Sequence, residues 1–144
     1  MYSSHHAALS LVAGAALVPF VPTVLPAVAV VAYAVVLGVA IDFDHFLVAR
    51  YNAGNWRALR ACATDPRRAF LAQDEIFDAD EVWPLERLLS HAVLAGVLVA
   101  TLLAAGLVGL AVVSAVVLYV HVLSDLAWDV ARQAEYFERV RETT

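Results

Sequence analysis

The chain has 144 residues, of which 62% are hydrophobic and 16% are charged, and its mean hydropathy is +0.76. This composition is far more apolar than that of soluble domains and indicates a single membrane domain covering residues 1–144. The formal charge of −5 argues against nucleic acid as the main partner. The one cysteine, Cys62, excludes an intrachain disulfide and a zinc site built from cysteines.

The chain begins with a long uncharged segment that contains several prolines. Because no positively charged region precedes this segment, we expect no cleaved signal peptide. Residues 7–40 contain no acid or base, and this run is longer than one membrane span of about 20 residues needs. Three prolines between positions 19 and 26 would break a helix there. We therefore predict a first helix over about residues 5–18, which is short for a full span, and a second over about residues 23–48.

The next segment, residues 51–84, is polar and charged. It contains a turn cluster at residues 52–55, and Asp65 followed by proline is typical of a helix start, which predicts a short helix as far as Gln73. We interpret the segment as an interfacial loop that lies on the membrane, with Trp56 and Phe70 inserted into it. The alternative is a solvated linker that takes no part in chemistry.

The second half of the chain repeats the apolar pattern. Residues 88–123 contain no Asp, Glu or Arg, and a single helix of that length would overshoot any bilayer. Two glycines, at positions 106 and 109, indicate a turn, so we predict a third helix over about residues 85–105 and a fourth over about 110–133. The predicted fold is an all-α integral membrane protein: four transmembrane helices form two hairpins, and the long interfacial loop lies between helices two and three.

Two hairpins would bring the polar side chains together at one membrane face. The beginnings of helices one and three lie at the same face as the ends of helices two and four, and the two uncharged hairpin tips lie at the opposite face. All five histidines fall on the polar face. The full set is His5, His6, Asp42, Asp44, His45, Glu86, His91, His121 and Asp125. A chance distribution would scatter these residues, so the clustering predicts a functional site.

The spacing within this set is suited to a metal ion. Carboxylates near hydrocarbon are costly and by default mark a functional site, and oxygen and imidazole groups are the ligands of zinc, manganese or iron. His121 and Asp125 share a helix face because they are four residues apart. His5 and His6 lie about 100° apart on a helix, so only one should face the site, and we favour His6. The alternative for residues 42–45 is an interfacial cap that only ends a membrane helix.

The order of these motifs resembles that of the YdjM-type membrane-bound metal-dependent hydrolases, also called the DUF457 family. That family has an N-terminal His, a Pro-Asp-x-Asp-His motif, a His-Arg-x-x-Thr-His-Ser motif and a final His-x-x-x-Asp, and the resemblance covers nearly the whole chain. Two positions depart from it. Ile41 replaces the usual proline, and Glu86 replaces the first histidine of the third motif. Glu86 either substitutes as an oxygen ligand or acid–base group, or this part of the site is altered.

The resemblance implies a hydrolase whose metal centre lies at the membrane–water boundary. We predict one or two divalent ions, with zinc as the first candidate and manganese or iron as alternatives. The expected metal ligands are His6, Asp42, Asp44, His91, His121 and Asp125. Glu86 or His45 would act as general base or orient a ligand. Arg87 would bind an anionic substrate group, or alternatively anchor the helix at the interface.

Location and partners follow from charge and topology. All nine arginines lie on the side of the motifs, so the positive-inside rule predicts that both termini, the loop and the site face the cytoplasm, in the cell membrane. The expected partners are the lipid bilayer and an amphiphilic or lipid-linked substrate, and the sequence makes no prediction of oligomeric state.

The alternative class is a non-enzymatic membrane protein, either a metal or proton transporter or a small scaffold. A transporter should carry ionisable residues near the midplane of the membrane, and the predicted helices lack them.

Overall fold

The computed structural model describes residues 1–65, 67–68, 75–78, 80–134, 138 and 141. Within these residues the protein is helical and has no strand, as the sequence predicts. The helices are α1 (Ser3–Leu17), α2 (Ala27–Ala40), a 3₁₀ helix (Ile41–Asp44), α3 (His45–Ala53), α4 (Arg57–Thr64), α5 (Pro84–Ala104) and α6 (Val108–Ala131). The ends of α1, α5 and α6 lie within two residues of the predicted bounds.

The second helix begins four residues later and ends five residues later than predicted, and its winding changes along its length. A continuous helical segment of 27 residues runs over Ala27–Ala53 and comprises α2, the 3₁₀ helix and α3. It begins after Pro26, whose backbone is extended, and ends at Gly54, whose φ of 71° is a left-handed conformation that glycine adopts without steric cost. The 3₁₀ helix has three residues per turn, so Asp42 and His45 come to lie on the same face.

Three segments of the described residues are long and apolar enough to cross a membrane, namely Ala27–Ala53, Pro84–Ala104 and Val108–Ala131. The prediction of four transmembrane helices is therefore only partly confirmed. The exception is α1, which has 15 residues. At 1.5 Å per residue it is about 22 Å long, shorter than a hydrocarbon core of about 30 Å.

The first hairpin, α1 and α2, packs closely because small residues lie between its helices. A Cβ atom at Gly14 would lie 2.6 Å from the Cβ of Ala34, and a Cβ atom at Gly38 would overlap the side chain of Ser10. Small residues at such contacts let helix backbones approach each other within a membrane. The close approach fixes the position of α1, and hence of His6, relative to α2.

The second hairpin places α6 in the middle of the bundle, in contact with α1, α2 and α5. A left-handed glycine, Gly106, ends α5, and the N–H of Leu107 donates to the carbonyl of Leu102 at 2.9 Å, which closes the turn. The buried core joins α2 to α6 and consists of Val30, Ala34, Val113 and Val117. Beside it, the hydroxyls of Tyr33 and Ser114 lie 2.6 Å apart and link the same two helices.

The described part of the loop contains α4 and also residues 75–78 and 80–83, which lead into α5 and are held by Arg57. Arg57, at the start of α4, donates to Glu81 at 2.6 Å and forms an ion pair with Asp78 at 2.8 Å. The hydrogen bond to Glu81 raises the pKa of Arg57. The helix expected after Asp65 lies largely outside the described residues, as does Phe70. The position of the loop on a membrane surface stays a prediction.

Candidate metal centre

The beginnings of α1 and α5, the 3₁₀ helix and the last turns of α6 meet at one end of the bundle. Two groups of side chains there have ligand atoms within 4.8 Å of one another and could hold a metal ion. The first group is His6, Asp42, His121 and Asp125, and the second is Asp42, His45 and His91. Asp42 belongs to both groups. The topology inferred from the sequence thus brings together five of the six predicted metal ligands, together with His45.

Of the two histidines of α1, His6 faces the cluster. His6 is 1% exposed, its Nε2 lies 3.1 Å from Oδ1 of Asp125, and its ring stacks on that of His121 with the centroids 3.8 Å apart. His5 is exposed, and its ring lies 5.8 Å from the rings of Tyr2 and of Trp128. The structure therefore assigns the predicted N-terminal ligand position to His6.

The ring of His91 is oriented by Asp44. Its Nδ1 lies 2.8 Å from Oδ2 of Asp44, and because a carboxylate only accepts, Nδ1–H is the donor. This orientation directs Nε2 into the cluster, where it lies 3.4 Å from Oδ1 of Asp42. Asp44 belongs to neither of the two groups described above. Its position is that of a carboxylate that orients a ligand, which differs from the ligand role that the sequence predicted.

The ring of His121 is oriented by a backbone group. Its Nδ1 donates to the carbonyl of Gly38 at 2.9 Å. Its Nε2 then lies 3.3 Å from Oδ1 of Asp42 and 3.5 Å from Oδ2 of Asp125. Both central imidazoles are therefore held in the tautomer that directs Nε2 towards the two carboxylates. The sequence gives no signal for the role of Gly38, because the acceptor is a main-chain carbonyl.

The polar atoms of the cluster lack the partners that buried polar atoms normally have. Among the described residues, the buried side-chain nitrogen and oxygen atoms without a hydrogen-bond partner are His6 Nδ1 and Nε2, Asp42 Oδ1, Asp44 Oδ1, His45 Nε2, Arg87 Nε, His91 Nε2, His121 Nε2 and Asp125 Oδ2. Each such atom costs about 1–3 kcal/mol, and native proteins rarely keep several together. All of these atoms lie at this centre, which could hold a metal ion.

The spacing of the donor atoms fits a metal ion. A tetrahedral zinc ion with ligands at about 2.0–2.1 Å separates neighbouring ligand atoms by about 3.3–3.4 Å. The distances from Oδ1 of Asp42 to Nε2 of His121 and of His91 are 3.3 and 3.4 Å, and Nε2 of His121 is 3.5 Å from Oδ2 of Asp125. The residues present therefore fit a divalent cation bound by imidazole and carboxylate.

Cationic groups border the centre beside Asp125. Arg87 donates from Nη2 to Asp129 at 2.6 Å, and its Nε lies 3.7 Å from Oδ2 of Asp125. The amino group of Met1 lies 2.9 Å from Oδ1 of Asp125. Asp129 therefore pairs with Arg87 beside the centre, a contact that the sequence did not predict. Its position four residues after Asp125, on the same helix face, was the available signal.

Glu86 does not join the centre. Its Oε2 accepts a hydrogen bond of 2.6 Å from the side-chain amide of Asn52, and it is in neither group of candidate ligands among the described residues. Glu86 lies five residues before His91 and therefore on a different side of α5. It lies in the first turn of α5, where a carboxylate stabilises the helix dipole, and it links this helix to α3. The predicted acid–base role of Glu86 is not supported by this placement.

A segment of the loop covers the second group of ligands. The ring of Phe77 lies 6.0 Å from that of His45, edge to face, and 5.3 Å from that of Phe46. Glu81, which is buried, holds this segment through Arg57 and through the N–H of Asp78 at 3.0 Å. The loop therefore forms one wall of the site beside His45.

No family model, curated protein or solved structure matches this chain. Its function has to be inferred from the site itself.

Proposed function

We propose that the protein is a membrane-bound metal-dependent hydrolase, as its motif order suggests, with the metal centre where the helices leave the bilayer. The observation that carries this proposal is the convergence of buried and unpartnered donor atoms from five elements at one end of the bundle. Buried imidazoles and carboxylates without partners are costly in a structural core, and bound divalent metal would take up the donor atoms of both ligand groups.

The first ligand group, which includes His6, His121 and two carboxylates, suits zinc, and manganese or iron accept the same donors. A bound ion of this kind activates water and polarises a phosphoryl or carbonyl oxygen. We propose that Arg87 binds an anionic group of the substrate, because its buried Nε–H has no hydrogen-bond partner and lies 3.7 Å from Oδ2 of Asp125. Of the two predicted acid–base side chains, His45 lies at the centre and Glu86 does not.

We propose a substrate that is amphiphilic, with a phosphoester or a similar polar bond near the metal and an apolar tail among the helices. An open apolar groove lies between α1 and α2, and Leu11, Val31 and Val35 contribute to its lining. The same two helical segments carry His6 and Asp42, so a tail in this groove and a headgroup at the centre would belong to one molecule. In this arrangement α1 acts as a fourth, short membrane helix.

We propose that the centre faces the cytoplasm, since the sequence has all nine arginines in segments that the predicted topology assigns to the side of the motifs. A reporter fused after Thr144 should be active inside the cell, and activity only outside would refute this orientation. A transport function receives little support, because residues 7–40 and 92–120, which form most of the apolar helices, contain no Asp, Glu, His, Lys or Arg.

The metal content of purified protein tests the proposal. We expect zinc or manganese to bind to the wild type and to be lost from His121→Ala, while the matched control Glu86→Gln retains it because Glu86 lies outside the centre. Equal metal content in wild type and His121→Ala would refute the site.

Turnover tests the substrate. We expect the metal-loaded protein to hydrolyse labelled membrane phospholipids, and Asp42→Asn to abolish that activity. Turnover of water-soluble phosphodiesters alone, again lost in Asp42→Asn, would keep the hydrolase and refute the amphiphilic substrate.

A further inference from the structure

We infer that the centre holds two metal ions, which share Asp42 as a common ligand. The inference rests on the proposed metal centre and deepens it, because it specifies the number of ions and the side chains that bind each one. Asp42 is the only member of both ligand groups found among the described residues.

The number of donor atoms exceeds what one catalytic ion can use. Four imidazoles each direct an unpartnered, buried Nε2 into the cluster, and Asp42 and Asp125 each add an unpartnered carboxylate oxygen. The imidazoles are those of His6, His45, His91 and His121. Six protein donors around one ion would leave no position for water or substrate, whereas catalytic zinc sites keep about one position open. If two ions divide the donors and share Asp42, the first has four protein ligands and the second has three, so the second keeps an open position for water or substrate.

The histidines are arranged as two pairs. The rings of His6 and His121 are stacked with centroids 3.8 Å apart, and those of His45 and His91 are stacked with centroids 5.0 Å apart. The first pair lies beside Asp125, whose Oδ1 is 3.1 Å from Nε2 of His6. The second pair lies beside the 3₁₀ helix, on the side covered by the loop. Each pair supplies two imidazole ligands for one ion.

Asp42 lies between the two pairs. Its Oδ1 is 3.3 Å from Nε2 of His121 in the first pair, and 3.4 and 3.7 Å from Nε2 of His91 and of His45 in the second. A carboxylate has two oxygens and can bridge two ions about 3.5–4 Å apart, the separation found in two-metal hydrolytic sites. Nε2 of His91 is also 3.8 Å from Oδ2 of Asp125, so no gap separates the two groups.

The two positions differ in exposure. The side chain of His45, in the second group, is 14% exposed, whereas those of His6, His121 and Asp125, in the first group, are at most 1% exposed. The second position is therefore the one that a substrate entering past Phe77 would reach first. A ligand role for His45 replaces the acid–base role that its sequence position suggested.

Metal stoichiometry of the full chain in detergent micelles tests the inference. We expect wild type and the control Glu86→Gln to bind two Mn²⁺ ions per chain, and His45→Gln to bind one. One ion in wild type together with an unchanged content in His45→Gln would overturn the two-ion inference and leave the single-metal hydrolase standing. Binding of no ion by wild type would refute the metal centre as well.

Electron paramagnetic resonance of the Mn²⁺-loaded wild type gives a second readout that does not depend on the folding of a variant. Two Mn²⁺ ions that share a carboxylate should show an exchange-coupled spectrum, which becomes that of an isolated ion in His45→Gln. A spectrum of isolated Mn²⁺ in fully loaded wild type would contradict a shared Asp42.

Discussion

The close contact between α1 and α2 at Gly38 should control both stability and the metal centre. In Gly38→Ala the new methyl group would overlap Oγ of Ser10, and it would also lie 2.8 Å from Cβ of Ser10. The second of these contacts cannot be relieved by rotating the hydroxyl, so the two helices have to separate. Overpacking of this kind costs about 1–3 kcal/mol.

Gly38→Ala should also affect the metal centre, because α1 carries the ligand His6 and α2 carries the carbonyl that orients His121. The carbonyl of Gly38 accepts the Nδ1–H of His121, and Ser10 lies one turn after His6 on α1. Separation of α1 from α2 therefore moves His6 and weakens the hydrogen bond that orients His121. The loss of an orienting partner typically lowers metal affinity about 10–100-fold. We expect Gly38→Ala to lower both the thermal stability in detergent and the affinity for zinc.

A control variant and a double variant test whether the overlap with Ser10 causes these losses. No described atom lies within 4 Å of a Cβ built at Gly96, so Gly96→Ala should be neutral, or stabilising by up to about 1 kcal/mol through helix propensity. The double variant Ser10→Gly with Gly38→Ala should regain much of the lost stability and zinc affinity. Thermal unfolding and chelator competition measure the two effects. If Gly38→Ala were as stable as Gly96→Ala, the packing that we describe between α1 and α2 would be wrong.

Three further predictions concern other contacts. Asp44→Asn should weaken zinc binding about 10–100-fold without abolishing it, because Asp44 orients His91; complete loss in a chelator competition would make Asp44 a direct ligand. Tyr33→Phe should cost about 0.6–1 kcal/mol of stability in thermal unfolding, since Ser114 keeps its bond to the carbonyl of Leu110, and a loss of several kcal/mol would contradict this. Burial raises the pKa of the Cys62 thiol, so less thiolate is present at pH 8 and maleimide should react more slowly than with a free cysteine, whereas a faster reaction would oppose it.

Helix positions and the end of the bundle that carries the site could be predicted from the sequence. Long uncharged runs interrupted by proline or glycine restrict where helices can lie, and alternating direction then brings distant polar residues together. The spacing also predicts that His121 and Asp125 are neighbours, because they are four residues apart on one helix. His6 could be favoured over His5 only weakly, because which face of α1 meets α6 depends on packing.

Other features of the fold and the site depend on three-dimensional contacts that the sequence pattern does not reveal. The 3₁₀ winding of residues 41–44 and the acceptor role of Gly38 are set by backbone geometry. Glu86 was placed in the site through its motif position, although its five-residue distance from His91 turns it towards Asn52. The four-helix prediction is only partly confirmed, because α1 has 15 residues and is short for a span, as its predicted bounds of about 5–18 already indicated.

X-ray absorption spectroscopy of the zinc-loaded protein tests the metal centre most directly. We expect a zinc shell of nitrogen and oxygen at about 2.0–2.1 Å with no sulfur at about 2.3 Å. We also expect outer-shell scattering from imidazole, which should diminish in His121→Ala and stay unchanged in Glu86→Gln. A zinc spectrum without imidazole scattering, or a protein that retains no zinc after purification and reloading, would contradict the assignment of this cluster as a metal centre.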